Sequence, residues 1–203
     1  MCLRFTERSL LSDDREMTLP TGQKTKMLAG ELYLATDPQL VAEDRRAQDL
    51  LYRFNLSRPD AADERQALLV ELFGSFAPGA VVRPSFRCDY GSNITIGEDT
   101  FINYDCVFLD CNWITIGREV QIAPRVQIYT ATHPLDAATR RSKLEFALPV
   151  VIKDGVWLGG GAIVCPGVTI GDNAVVGAGS VVTRDLPSGV LAVGNPCRVV
   201  RSL

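Results

Sequence analysis

The chain has 203 residues, of which 46% are hydrophobic, and its 21 lysine and arginine residues against 24 aspartate and glutamate residues give a formal net charge of −3 at pH 7. This length can bury one sizeable core, the acidic balance offers no net basic footprint for a nucleic acid, and no run of about 18 apolar residues could span a membrane. The six cysteines are scattered without a CxxC pair, and the start of the chain is too charged for a signal peptide. We therefore expect a cytoplasmic protein with reduced cysteines and no metal centre.

The first part of the chain predicts a polar extension followed by helices. Residues 1–26 are polar, so we expect them to be a loosely ordered extension. Asp37 followed by Pro38 predicts a helix start, because a capping side chain before proline favours the first helical turn. A second helix is expected from about Asp60. We predict a helical cap over residues 27–80, which covers strand edges that the following part would otherwise expose.

From Val81 the pattern becomes β-like, and from Ile96 onward the chain shows a period of six residues, which fits neither a helix nor a plain strand. In the most regular stretch the repeating aliphatic positions are Ile152, Leu158, Val164, Ile170, Val176 and Val182. If each hexad forms one flat side and a corner, three hexads make a triangular coil and residues 18 apart stack on each other. The sequence therefore predicts a mainly β protein, with a parallel β-helix over residues 81–203 that includes a C-terminal tail.

The repeat departs from regularity at two places. Near Asn112 and Trp113 it slips by two residues, which we assign to a widened corner. After His133 it stops, and residues 134–149 have no inward-facing row before the hexads resume at Val150. An interruption that returns to register predicts one protruding loop, and such loops commonly carry function.

Six stretches of the chain resemble a known family: KMLAGELY, FRCDYGSNITIG, FINYDCVFLD, YTATHPLD, the run from VWLGGGAIVC to VVTRDLP, and GNPCRVVR. They resemble the maltose and galactoside O-acetyltransferases of the hexapeptide-repeat superfamily, over about residues 24–203. The hexad repeat alone is unspecific within that superfamily, whereas YTATHP, the loop after it and GNPCR are specific in combination. The resemblance implies a left-handed parallel β-helix, a homotrimer, and acetyl-CoA lying in clefts between neighbouring prisms.

His133 is the only histidine in the chain and stands where the loop departs. Acetyl transfer from a thioester to a sugar hydroxyl needs a base for the hydroxyl proton, and an imidazole with an unperturbed pKa of about 6.5 suits that step. A lone histidine is often only structural. Its place beside the loop and its match to the family's catalytic histidine favour the general base.

Four polar residues are candidates for binding the acceptor sugar: Asn103, Asp89, Asp110 and Glu145. By resemblance, Asn103 contacts the acceptor near the reacting hydroxyl, since an amide both donates and accepts hydrogen bonds. Its alternative role is a corner asparagine that satisfies the backbone. Carboxylates suit sugar hydroxyls because they accept charge-assisted hydrogen bonds, although each can equally be solvated. Glu145 ranks above the other acids because it belongs to the loop.

The resemblance also assigns cofactor contacts. Two small residues on successive coils match positions that contact the cofactor, with a tight corner as their alternative explanation: Gly160 and Ala178. Four residues after the last complete coil match the adenine and 3′-phosphate end, where guanidinium groups pair with phosphate, with an ordinary charged terminus as the alternative: Thr183, Arg184, Arg198 and Arg201. Trp157 either packs on the acetyl-pantetheine arm or shields the core.

One departure concerns the acceptor. In galactoside members an aspartate and an arginine of the helical region help to hold the sugar, and Ala35 and Asp44 stand at those positions here. Asp37 or Arg45, close by, are the candidates to replace them. The maltose members are nearer over YTATHP and FRCDYG, so we expect glucose or maltose ahead of galactosides.

Two rival functions use the same fold. A γ-type carbonic anhydrase needs three histidines on a catalytic metal, which one histidine cannot supply. A non-catalytic trimeric scaffold or binding module would need neither His133 nor acetyl-CoA. The sequence thus predicts an acetyl-CoA-dependent sugar O-acetyltransferase that requires no metal, with the scaffold as the alternative.

Overall fold

Short strands joined by tight corners make up most of the computed structural model, which describes residues 22–203. The helices of this part of the chain are α1 (Gln23–Ala29), α2 (Pro38–Leu56), α3 (Ala62–Leu72) and α4 (Ala137–Arg141). Its strands are β1 (Tyr33–Leu34), β2 (Ser75–Phe76), β3 (Val81–Val82), β4 (Phe86–Cys88), β5 (Ile94–Ile96), β6 (Phe101–Ile102), β7 (Cys106–Leu109), β8 (Ile114–Ile116), β9 (Gln121–Ile122), β10 (Gln127–Tyr129), β11 (Ala131–Thr132), β12 (Leu144–Ala147), β13 (Val150–Ile152), β14 (Trp157–Leu158), β15 (Ile163–Val164), β16 (Thr169–Ile170), β17 (Val175–Val176), β18 (Val181–Val182), β19 (Val190–Val193) and β20 (Arg198–Ser202).

Three sheets of parallel strands form the sides of a triangular prism. Their strand orders are β18-β15-β10-β7-β4, β16-β13-β8-β5-β2 and β19-β17-β14-β9-β6-β3, and β20 adds to the third sheet as an antiparallel edge. The stacking predicted from the period of six is confirmed by the register of three strand pairs: Ile152 with Ile170, Leu158 with Val176, and Val164 with Val182. The chain is therefore a parallel β-helix of hexads.

The core of the prism is a column of branched aliphatic side chains. Ile152, Leu158, Val164 and Ile170 are each fully buried, as expected for β-branched and aliphatic residues whose strands turn one face inward. At the helical end the filling changes to phenylalanine, and the rings of Phe86 and Phe108 meet edge to face at 5.1 Å. Helices α2 and α3 pack their apolar stripes onto this end, so the predicted helical cap is present.

The widened corner is confirmed by the strand register. Ile102 pairs with Ile122, twenty residues later rather than eighteen. The two additional residues lie between the end of β7 at Leu109 and the start of β8 at Ile114. The corner holds the buried polar side chains of Asp110 and Asn112.

The predicted loop is an ordered hairpin attached to the cap. Strand β12 pairs antiparallel with β11, and on its other side with β1, so that these three strands form a sheet of their own outside the prism. Helix α4 fills the turn between β11 and β12. Sequence analysis predicted neither β1 nor α1, and α1 begins at Gln23, inside the segment expected to be a loose extension. Residues 1–21 of that segment lie outside the described residues.

The cysteines are mostly buried thiols. Cys88, Cys106, Cys111 and Cys197 are free and buried. Cys165 is disulfide-bonded, so the expectation of reduced cysteines is wrong at that position. Within residues 22–203, no helix has the length and apolarity to cross a membrane.

Candidate active site

His133 lies at the mouth of the hairpin, directly after β11, and its side chain is 60% exposed. The last strand pair before it is Thr132 with Phe146, so the antiparallel register brings Glu145 across from the imidazole. Glu145 Oε2 stands 3.8 Å from His133 Nδ1. This distance is in ion-pair range but longer than a direct hydrogen bond. The hairpin therefore brings together two predicted site residues, an imidazole and a carboxylate.

Glu145 is held from the side of the cap. Tyr33 of β1 pairs directly with Glu145 of β12, and the Tyr33 hydroxyl donates a hydrogen bond of 2.6 Å to Glu145 Oε1. Tyr33 is fully buried, and burial raises the pKa of its hydroxyl far above the usual value. The phenol is therefore a neutral donor at any physiological pH. Sequence analysis quoted Tyr33 only as the last letter of KMLAGELY and assigned it no role.

A cavity opens beside this pair. It has a volume of about 340 Å³ and is lined by Ala35, Thr36, His133, Arg140, Lys143 and Glu145. That volume lies near the lower end of the range for small-molecule sites, about 300–1,000 Å³. Arg140 Nη1 donates to the carbonyl oxygens of Pro134 and Leu135 at 2.9 and 3.0 Å, which fixes α4 over the cavity. The cavity can hold a small polar acceptor with its hydroxyl near the imidazole.

Asp89 lies deeper on the same side of the prism. The Cys111 thiol donates to Asp89 Oδ2 at 3.3 Å, and the Asp89 carboxylate interacts electrostatically with Glu145 and Asp44. Burial raises the pKa of Asp89 to about 6. Cys111 and Tyr33 belong to the same buried cluster. Asp89 therefore borders the buried cluster that contains Tyr33.

Asp110 serves the fold rather than the acceptor. It is fully buried, and its carboxylate accepts the backbone N–H groups of Asp89, Tyr90 and Asn93 at 3.0, 2.9 and 3.3 Å. Burial raises its pKa to about 7. Because no oxygen of Asp110 is exposed to a ligand, we drop it from the acceptor contacts.

Three other predicted residues share one edge of the prism, away from the hairpin. This edge, which we call the Gly160 edge, comprises the corners 103–105, 123–125, 159–161 and 177–179. Its corners are linked by backbone hydrogen bonds, such as Gly161 N to Pro124 O and Gly179 N to Gly160 O, both at 2.9 Å. Asn103, Gly160 and Ala178 therefore stand in a row along the prism. The side-chain oxygen of Asn103 accepts the N–H of Tyr104 at 2.8 Å, as a corner asparagine does.

The remaining cofactor candidates do not form one cluster. Thr183 and Arg184 follow β18 on the same edge as the hairpin. Arg198 lies at the end of the Gly160 edge, where Cys197 N donates to Val181 O at 2.8 Å, whereas Arg201 stands opposite Leu191 farther along β20. Trp157 begins β14 and is 53% exposed.

Within one chain, the width of a sheet separates His133 from the Gly160 edge. Strand β10 runs from the corner at Arg125, on the Gly160 edge, to the corner at Thr130, where the hairpin departs. Asn103, Gly160 and Ala178 therefore do not meet His133 in the same chain. Among residues 22–203, no group of three or more histidine, cysteine, aspartate or glutamate side chains is placed to hold a metal ion.

A β-helix of hexads with a helical cap, and a histidine on a hairpin that interrupts the coils, is the arrangement of a hexapeptide-repeat acetyltransferase. Two family models match the chain: the maltose acetyltransferase hexapeptide capping motif over residues 26–77, and the bacterial transferase hexapeptide (six repeats) over residues 149–184. The chain belongs to the maltose and galactoside O-acetyltransferase family, and it is an O-acetyltransferase of that family.

Similar proteins cover nearly the whole chain. Nodulation protein L of Rhizobium leguminosarum bv. viciae is 54% identical over 87% of this chain and 93% of its own. The crystal structure of a maltose O-acetyltransferase from Clostridium difficile 630 is 51% identical, with a TM-score of 0.88 over 89% of this chain and 97% of its own. A galactoside acetyltransferase in complex with coenzyme A is 37% identical, with a TM-score of 0.87 over 90% of this chain and 92% of its own.

Proposed function

We propose that this protein transfers the acetyl group of acetyl-CoA to a hydroxyl of a small sugar, with His133 as the general base. The observation that carries the proposal is the place of the chain's only histidine, exposed at a 340 Å³ cavity with Glu145 facing its Nδ1. A scaffold would have no need of an imidazole and a carboxylate paired at a cavity. The coenzyme A complex of the galactoside relative supports the same cofactor here.

The residues suggest a direct transfer. Glu145 beside Nδ1 favours a proton on that nitrogen, which leaves the lone pair of Nε2 free to accept the proton of the acceptor hydroxyl. The acceptor oxygen bonds to the thioester carbonyl carbon, the carbon–sulfur bond then breaks, and the imidazolium returns the proton to the departing thiolate. The products are an acetyl ester and free coenzyme A, and the base is regenerated.

We infer that the full site forms between copies of the chain in a homotrimer. In this arrangement, the hairpin of one protomer supplies His133 and Glu145, and the Gly160 edge of its neighbour supplies Asn103, Gly160 and Ala178. The support is the separation of these two groups by a full sheet within one chain. Acetyl-CoA would lie along the small residues of the Gly160 edge, where backbone groups can bind a pantetheine arm.

The remaining candidate residues are assigned to the two ends of acetyl-CoA in this cleft. We place Trp157 beside the acetyl-pantetheine arm, and the adenine and 3′-phosphate end at the far end of the prism, near four residues: Thr183, Arg184, Arg198 and Arg201. Because Thr183 and Arg184 lie on the hairpin edge and Arg198 lies on the Gly160 edge, we expect them to meet one cofactor across a protomer boundary.

For the acceptor we propose glucose or maltose in the cytoplasm. The capping model that matches residues 26–77 is that of maltose acetyltransferases. The Asp37 side chain caps α2, where it accepts a hydrogen bond from Gln39 N at 3.0 Å. Of the two candidates to replace the sugar contacts of the galactoside members, we therefore prefer Arg45. Asp89, Asn103 and Glu145 remain the proposed acceptor contacts.

The test is thiol release from acetyl-CoA with a panel of sugars, wild type against His133→Ala. Loss of a general base should lower the rate by about 10²- to 10⁴-fold. His133→Ala should leave the folding transition in place, because the side chain is largely exposed. Equal rates in both proteins would refute His133 as the base, and no thiol release with any sugar would favour the scaffold.

A further inference from the structure

The cap does more than close the prism. Its strand β1 lies against the outer side of the hairpin strand β12, with Tyr33 opposite Glu145 and Leu34 opposite Leu144. Side chains directly opposite each other in an antiparallel pair share one face of the sheet. The register therefore places the Tyr33 side chain beside the Glu145 carboxylate, although 112 residues separate them.

Tyr33 is better fixed than the residue that it contacts. It is fully buried in a cluster with Met27, Leu40, Cys111 and Ala147, whereas the Glu145 side chain is 19% exposed. The 2.6 Å hydrogen bond from the Tyr33 hydroxyl occupies Glu145 Oε1. The other oxygen, Oε2, is then the one that faces His133 Nδ1.

From this geometry we propose that Tyr33 is a positioning residue, which aims Glu145 at His133 and so fixes the imidazole tautomer with hydrogen on Nδ1. Tyr33 has no contact with the cavity and acts only through Glu145. The alternative is a purely structural role, in which the Tyr33 side chain only packs in the core. A packing role needs the ring of Tyr33 but not its hydroxyl. Removal of the hydroxyl oxygen therefore distinguishes the packing role from the positioning role.

Tyr33→Phe makes this change, and Tyr90→Phe is its matched control. Tyr90 belongs to the same buried cluster and is 5% exposed. Among the described residues, however, its hydroxyl makes no hydrogen bond to Glu145. We expect Tyr33→Phe to lower kcat by about three- to tenfold, part of what a hydrogen bond to a charged group contributes. The KM for acetyl-CoA should stay unchanged. Tyr90→Phe should leave both constants near their wild-type values.

A double-mutant cycle tests whether Tyr33 acts through Glu145. Glu145→Gln removes the charge at a partly exposed position and should not threaten folding. If the inference holds, adding Tyr33→Phe to Glu145→Gln should lower kcat no further, because residues that act as one unit are not additive. A full three- to tenfold loss in the Glu145→Gln background would overturn it.

A second readout does not depend on the proposed reaction. Because His133 is the only histidine, ¹⁵N-histidine labelling gives the nitrogen signals of a single imidazole, which report its tautomer. We expect the Nδ1–H form in the wild type and in Tyr90→Phe, and a rise of the Nε2–H form in Tyr33→Phe and Glu145→Gln. This inference rests on the proposed function only for its kinetic part. If acetyl transfer were absent, the proposed function would fail, but the tautomer measurement would still decide the role of Tyr33. An unchanged tautomer in both Tyr33→Phe and Glu145→Gln would refute that role.

Discussion

Asn112 should hold the hairpin, the cap and the prism together, and Asn112→Ala should therefore destabilise the protein strongly. The side chain is 1% exposed, and its Nδ2 lies 3.2 Å from Met27 O, 3.3 Å from Leu28 O and 3.0 Å from Ala147 O. Its Oδ1 accepts the N–H of Trp113 at 2.7 Å. One amide thus joins the end of α1, the end of β12 and the widened corner.

The size of the loss follows from these contacts. Met27 O also accepts the N–H of Gly30 at 3.2 Å, so truncation removes the Asn112 partner of three further groups: Leu28 O, Ala147 O and the Trp113 N–H. At about 1–2 kcal/mol for each of these three polar groups left unpaired, the free energy of unfolding should fall by about 3–6 kcal/mol. Asn93→Ala is the matched control, because Asn93 is 2% exposed and its Nδ2 makes one hydrogen bond, to Asp110 O at 2.7 Å. Asn93→Ala should lower the free energy of unfolding by about 1–2 kcal/mol.

Urea denaturation at a fixed protein concentration measures both losses. Limited proteolysis then shows where the structure opens, since Asn112→Ala should expose residues 134–149 to cleavage and Asn93→Ala should not. A loss below about 1 kcal/mol for Asn112→Ala, or equal cleavage of the hairpin in both variants, would show that the reasoning is wrong.

Two further predictions concern Asp89 and the Gly160 edge. Because the pKa of Asp89 is raised to about 6 in the folded state, the unfolded carboxylate ionises first as pH rises, and the wild type loses stability between about pH 4 and pH 6. Asp89→Asn removes this loss, so its stability relative to the wild type should increase from pH 4.5 to pH 7 in urea denaturation; a difference independent of pH would contradict the raised pKa. Gly160→Ala should fold with nearly unchanged stability, because a Cβ there would meet Pro124 O at 3.4 Å, in ordinary contact. At a hundred times its dissociation constant, acetyl-CoA should stabilise the wild type by about 2.7 kcal/mol in a thermal-shift assay, and Gly160→Ala should show a smaller shift at the same ligand concentration; equal shifts would place the cofactor elsewhere.

The prism could be predicted from sequence because its contacts repeat. Each hexad stacks on the hexad one coil later, at a fixed separation of 18 residues, so Ile152 and Ile170 reveal the coil without any knowledge of distant parts of the chain. The place of His133 could be predicted for the same reason, since an interruption is visible only against a regular pattern.

The support of the site could not be predicted in that way. Strand β1 has two residues, too few for a period, and its pairing with β12 joins segments that are more than a hundred residues apart. The burial of Asp110, by contrast, could have been predicted from the sequence. Phe108 and Asp110 are buried and Leu109 is only partly so, and the two-residue period of β7 extended by one step would have turned Asp110 inward.

The sheet shared by the cap and the hairpin also limits how this site can diverge or be redesigned. Insertions in the segment around α4 leave the coils and β12 in register, so the length of the turn is free to vary. A graft of residues 131–147 alone, by contrast, would separate Glu145 from Tyr33. Under the proposed function, a transfer of acceptor preference between relatives requires that residues 23–36 move together with the hairpin, as a paired module from two distant parts of the sequence.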